Sequence, residues 1–122
     1  MSAAPNTATP EVNELIDLLS TLQAELGDLI RSRETLEVQL KENTIVKDEF
    51  DTLSEDAKVY KLTGPVLLPQ SKAEAETNVN TRLDFIKKEI ERVEKNIAAK
   101  QENIMENRNK LAAMSAPPQQ AA

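Results

Sequence analysis

Apolar residues recur in steps of three and four along two separate stretches of this chain, and that periodicity decides most of what it can fold into. The first series runs Val12, Leu15, Leu19, Leu22, Leu26, Leu29, Leu36, Leu40 and Phe50, with Arg33, Asn43 and Lys47 at the intervening positions. The second runs Val79, Leu83, Ile86, Ile90, Val93, Ile97, Ile104, Leu111 and Met114, with Glu76, Lys100 and Asn107 as its polar members. A stripe of this spacing lies along one side of an α-helix and needs a second helix to cover it. Two such stripes in one chain can cover each other. Aromatic residues are only 2% of the sequence and charged residues 30%, which leaves too little bulky apolar matter for a thick layered core. A narrow helix seam suits the Leu, Ile, Val and Ala that make up most of the rest.

Start signals frame both series. Thr9, Pro10 and Glu11 supply a capping oxygen, a residue suited to the first helical position and an acid near the positive helix end. A helix is expected over 10–53, ending before Ser54, Glu55 and Asp56, with Gly27 costing about 1 kcal/mol relative to Ala. Ser71 and Glu74 form a capping box that opens a second helix over 71–114. At about 1.5 Å per residue each helix spans roughly 65 Å, so an antiparallel fold-back leaves no overhang. Pairing the seams from opposite ends sets Val12 against Met114, Leu19 against Asn107, Leu26 against Lys100, Asn43 against Leu83 and Phe50 against Glu76. Every polar seam residue then meets an apolar one, and long Lys and Arg stems can lie along their partners with the charge in water. The tails 1–9 and 115–122 are expected to be disordered, because Ala, Thr, Pro, Asn and Gln there cannot offset their ordering entropy.

Charge is unevenly placed. Net charge is −6, and residues 11–56 hold 13 acidic against 4 basic side chains, while 72–114 hold 8 against 9. That asymmetry favours the halves lying against each other and counts against a nucleic-acid-binding helical protein, as does the lack of an aromatic-basic patch. With no Cys, disulfides, thiolate metal sites and thiol nucleophiles are excluded, and a reducing intracellular home fits. No apolar run approaches the roughly 18 residues of a membrane span, and the first ten residues lack the features of a signal peptide. Catalysis has no support: His and Cys are absent, and no phosphate-binding glycine loop or clustered carboxylate site is present. No catalytic, cofactor or metal residue is therefore assigned, and the runs Lys87-Lys88-Glu89 and Glu91-Arg92 read as solvated helix faces.

The segment between the helices is the most informative. In residues 58–68, β-branched and aromatic residues flank the turn signal Gly64-Pro65, and Pro69 is expected to stop the second run. A β-hairpin follows. An isolated hairpin is marginal in water, and Val66, Leu67 and Leu68 would leave an apolar edge unpaired. Val59, Tyr60, Leu62, Val66, Leu67 and Leu68 are thus expected to join other subunits. The alternative is a capped loop between helices.

Three blocks carry a resemblance to a known family: Lys41-Glu42-Asn43-Thr44-Ile45-Val46-Lys47-Asp48-Glu49-Phe50, Val59-Tyr60-Lys61-Leu62-Thr63-Gly64-Pro65-Val66-Leu67-Leu68, and Asn78-Val79-Asn80-Thr81-Arg82-Leu83-Asp84-Phe85-Ile86. Together with the helix–hairpin–helix order they resemble a prefoldin subunit of the β class, over about residues 12 to 114. The strand-turn-strand block is the more specific part, since the distal heptads could belong to many coiled coils. Leu68-Pro69 departs from the Val-Lys pairing expected there, which bears on where the second strand ends. The resemblance implies a mainly α fold, a long antiparallel two-helix coiled coil with a β-hairpin between the helices. It also implies a heterohexamer of two α-type and four β-type subunits, three of the latter being further partners of this chain, with the hairpins joined in a β-barrel body. The family binds non-native proteins without ATP; its eukaryotic members receive nascent actin and tubulin and deliver them to the cytosolic group II chaperonin. A cytoplasmic location goes with that role, and neither nucleic acid nor membrane is expected as a partner.

A holdase needs exposed, adjustable apolar surface. Near the first helix start, Leu15, Ile16, Leu18 and Leu19 cover more than one seam, and Ile104, Met105, Leu111 and Met114 lie opposite. The candidate client contacts are Ile16, Leu18, Leu19, Met105, Leu111 and Met114, against the alternative that Leu15, Leu19 and Leu111 merely close the coil. Ile45, Val46, Leu53 and Phe85 also leave the strict seam and are read as packing beneath the hairpin or against adjacent subunits. The main rival function is a structural coiled-coil adaptor or tether, for which the heptads are equally good support.

Overall fold

A computed structural model describes residues 9–115. The elements in order are α1 (Pro10–Asp51), β1 (Val59–Thr63), β2 (Val66–Gln70) and α2 (Lys72–Ser115). Apart from Thr9 and Ser115, the expected tails lie outside the described residues, and Ser115 itself belongs to α2.

Each helix begins where a side-chain oxygen meets an orphan amide. Thr9 Oγ1 accepts from the Val12 N–H at 3.2 Å, and Ser71 Oγ accepts from the Glu74 N–H at 3.1 Å. α1 stops at Asp51, two residues before the expected end. There the N–H groups of Thr52 and Leu53 reach back only three residues, to Glu49 and Phe50, and this tighter turn closes the helix.

β1 and β2 pair antiparallel, Val59 with Gln70, Tyr60 with Pro69, Lys61 with Leu68, Leu62 with Leu67 and Thr63 with Val66. The connection is the two residues Gly64 and Pro65. Gly64 has φ 60°, the sign that the first central residue of a II′ hairpin turn requires, and the ring of Pro65 fixes a φ that suits the second. The second strand does not stop at Leu68. Pro69 continues it because its position opposite Tyr60 is one at which the strand asks no N–H of the β1 ladder.

The chain divides into two compact units. In the first, residues 9–31 and 94–115, Leu22, Ile97 and Ile104 are buried, and Lys100 Nζ meets Glu25 Oε2 at 2.6 Å. Asn107 is buried too, its amide donating to Asn103 O and Oδ1 at 2.8 Å each, so its polarity is met within its own helix. In the second, residues 32–93, Phe50, Ala75, Val79 and Leu83 form a core joined by Leu40 and Val59. Arg82 Nη1 donates to Asn43 Oδ1 at 3.3 Å, and Asn43 Nδ2 donates to Gln39 O. Both cross-helix contacts, Glu25–Lys100 and Asn43–Arg82, lie one position from the seam pairs expected from the sequence. Of the seam positions, only Lys47 and Met114 are exposed. The seam is thin: even Ile86 and Val93 keep 3% exposure.

The two glycines should respond oppositely to alanine. A Cβ at Gly64 meets nothing within 4 Å, but its φ penalises any L side chain, so Gly64→Ala should lose about 1–2 kcal/mol of hairpin stability. Gly27 is helical and its Cβ would touch only the Arg31 guanidinium at 3.6 Å, so Gly27→Ala should gain about 0.5–1 kcal/mol. Urea midpoints of the purified variants check both signs.

Candidate subunit interface and client-contact surface

The hairpin register sorts the six candidate assembly residues onto two faces. Tyr60, Leu62, Leu67 and Pro69 share one face, and all four are exposed, Leu62 and Leu67 at 68% and 61%. Val59, Lys61, Thr63, Val66, Leu68 and Gln70 share the other. On that second face Val59 is half-buried against the helical core, so it is spent within the chain, whereas Val66 and Leu68 are exposed. Four leucine and valine side chains and a tyrosine thus stand uncovered on a sheet of two strands.

A groove of about 650 Å³ opens at the hairpin base, lined among others by Val46, Phe50, Val59, Tyr60, Ala75 and Phe85. Phe85, one of three aromatic residues in the chain, is 63% exposed, and Ile45, Val46 and Leu53 are exposed as well. Val46 and Phe85 do line the space under the hairpin. Val38 is a further exposed valine on α1 that the sequence reading did not single out.

The half-buried Lys72 is the residue that sequence reasoning missed. Its ammonium donates to Leu53 O at 3.1 Å and lies 3.6 Å from Glu55 and 3.5 Å from Glu76. α1 has no basic residue in its own last turn, so the first residue of α2 supplies the cation that the carbonyl end of α1 favours. The available signal was a lysine right after the Ser71 cap, with Glu76 one turn on. Elsewhere in the same unit, hydrogen bonds from the Arg92 guanidinium hold the Glu89 carboxyl below its ordinary range, with the Arg92 charge adding to the effect, and Arg92 is raised in turn.

In the first unit, Ile16, Leu18, Met105 and Met114 are exposed. Leu15, Leu19 and Leu111 are half-buried, and Ile104 is buried in the seam. A groove of about 410 Å³ is lined by Leu26, Ile104, Met105 and Arg108 with Gln23 and Gln101 among its polar walls. Among the described residues no cluster of three or more potential metal ligands occurs, and no helix is long and apolar enough to cross a membrane.

Two helices sharing one seam, with a single uncovered hairpin between them, define the class of β-type prefoldin subunits. In fold, the chain matches the crystal structure of the prefoldin beta subunit from Thermococcus strain KS-1 with a TM-score of 0.83, at 21% identity, covering 90% of this chain and 96% of that one. The chain belongs to the prefoldin family: the family described as "Prefoldin subunit" matches residues 13–116. Its relatives include prefoldin subunit 6 of Saccharomyces cerevisiae, 53% identical over 82% of this chain and 88% of that protein. Prefoldin subunit 6 of Arabidopsis thaliana is 41% identical over 76% and 74%, and that of Bos taurus 38% identical over 80% and 75%. The family is one of chaperone subunits that work in a complex with other prefoldin subunits, and it is not known for catalysis.

Replacing Lys72 by Met keeps the stem and removes the charge. Lys72→Met should cost about 1–2 kcal/mol by leaving Leu53 O without its charged donor. Amide exchange over residues 52–57 should accelerate more than exchange in the middle of either helix.

Proposed function

We propose that this chain is an ATP-independent holdase subunit of a heterohexamer made with two α-type and three further β-type prefoldin subunits. In this reading the complex captures unfolded or nascent proteins, actin and tubulin among them, and passes them to the group II chaperonin of the cytoplasm. The observation that carries it is the uncovered apolar hairpin: Tyr60, Leu62, Val66, Leu67 and Leu68 are all exposed, as expected of strands that other subunits complete. The subunit-six names and high identities of its relatives support the same assembly.

Client contact is assigned to Ile16, Leu18, Met105 and Met114, which present flexible or branched apolar side chains to solvent. Leu19 and Leu111, half-buried, hold the seam on which these residues stand. Binding of this kind needs no nucleotide, because the surface is already open and release can follow transfer to a tighter-binding acceptor. The competing tether reading explains the seam equally well but gives the exposed hairpin no task.

Deletion of residues 58–68 should retain most helical circular dichroism and abolish stable association with co-expressed partner subunits. A six-subunit native mass from the deletion variant would reject the hairpin as the joint. Replacing Ile16, Leu18 and Met105 together by Ser should leave that mass unchanged while weakening suppression of client aggregation by several-fold; undiminished suppression removes them from the contact surface.

A further inference from the structure

Gln101, Ile104, Met105 and Arg108 recur along α2 at the spacing that puts them on one helix face, and Gln23 and Leu26 of α1 share a face in the same way. Between them lies the groove of about 410 Å³ in the first unit. Ile104 is buried in the seam, Leu26 is half-buried and Met105 is 65% exposed, so apolar surface runs from the seam out to solvent. The amides of Gln23, Gln101 and Asn109 add donors and acceptors without charge. That leaves Arg108. Of the other basic residues in this unit, Arg31 is paired with Asp28, Lys100 with Glu25, Lys95 has a partner, and Lys110 lies off the groove. No ion pair or hydrogen bond among the described residues engages Arg108. In a chain with 21 acidic residues, none of the described residues lining this groove is Asp or Glu.

Resting on the reading of Ile16, Leu18, Met105 and Met114 as client contacts, we infer that this groove seats client segments in which a large apolar residue stands next to Asp or Glu. The apolar side chain covers Leu26, Ile104 and Met105, and Arg108 takes the carboxylate. A volume of about 410 Å³ falls at the small end of binding pockets, room for one or two side chains and not for a folded element. Guanidinium and carboxylate match in a planar, two-pronged geometry, so the pair also orients the segment. The three amides can meet main-chain N–H and C=O groups of any sequence, which suits a chain that has not folded and still has those groups unpaired. Charge complementarity decides the occupant. A segment flanked by Lys or Arg meets an unopposed guanidinium here, and a purely apolar one leaves that guanidinium unmatched beside surface it has just dried. The residues outside 9–115 do not fit, since they include no Asp or Glu and, Met1 apart, no large apolar side chain.

The chain has three methionines, so the full chain labelled at its methionine methyl carbons gives one NMR signal from the groove, assigned by Met105→Leu. The probes are short Gly-Ser peptides carrying Leu-Leu-Asp, Leu-Leu-Asn or Leu-Leu-Lys at the centre. The Met105 signal should shift on titration, with the Asp peptide bound about three- to fivefold more tightly than the Asn peptide, as for an exposed ion pair, and the Lys peptide weakest. Arg108 is exposed, and Arg108→Gln removes its charge while keeping amide donors. It should bring the three affinities together, as should about 0.5 M salt, whereas Arg108→Lys should keep the Asp preference. Equal affinities for the Asp and Asn peptides in the unaltered chain, or a preference that survives Arg108→Gln, overturn the carboxylate assignment. A Met105 signal that no peptide moves overturns the groove as a seat, and one that moves with chain concentration instead puts a second copy there. Each of these failures leaves the client-contact reading standing if the Ile16, Leu18 and Met105 triple variant loses suppression of client aggregation; undiminished suppression by that variant removes the reading itself.

Discussion

Mutual burial of two apolar stripes from one chain is the constraint on which everything else rests. Neither stripe could be covered alone, since a single helix of this composition would leave Leu, Ile and Val side chains in water. Because the covering is pairwise and one residue deep, none of the large side chains among the described residues disappears fully from solvent. Polar seam members are therefore cheap: Lys100 reaches Glu25, Asn43 meets Arg82, and Asn107 turns back on its own helix. Each position can carry a charge or an amide without an unpaired buried group, and among the described residues no buried side-chain nitrogen or oxygen lacks a partner.

The hairpin obeys the opposite economy. It is anchored by Val59 in the helical core and by the Lys72 contacts next to it, while nearly all its remaining apolar surface stays open. Such a sheet would be a hazard on a solitary protein, because uncovered edges and leucines invite uncontrolled pairing. In a family whose subunits work in a complex, such a surface can be covered by a partner.

Most of the architecture was legible in the residues because it is written in periodicities and short-range chemistry. Seam spacing, the Thr9 and Ser71 caps and the Gly64-Pro65 turn each act within a few residues of where they are read. What escaped depends on pairing across distance. Pro69 reads as a stop in a linear scan and as a tolerated edge residue only once its partner Tyr60 is known. Lys72 serves an acceptor 19 positions earlier, which no local pattern reveals. For the candidate site, the identity of the apolar hairpin residues was visible, yet their division between two faces, and the withdrawal of Val59 into the core, required the register and the packing. On α1 and α2 the off-seam residues Ile16, Leu18 and Met105 were identifiable because leaving the heptad is itself a sequence property, whereas Ile104 belonged to the seam all along.

The two cross-helix contacts also set a timetable. Asn43 and Arg82 are 39 positions apart along the chain, Glu25 and Lys100 are 75 apart, and joining the more distant pair first would cost about 0.6 kcal/mol more for each doubling of the loop. Closure beginning at Gly64 avoids that cost, because each layer, once formed, shortens the loop left for the next. The order favoured by chain entropy is a zipper that starts at the turn and finishes at Val12 and Leu111. The last teeth to close in that order are those farthest from the turn, where the seam leucines Leu15, Leu19 and Leu111 are only half-buried.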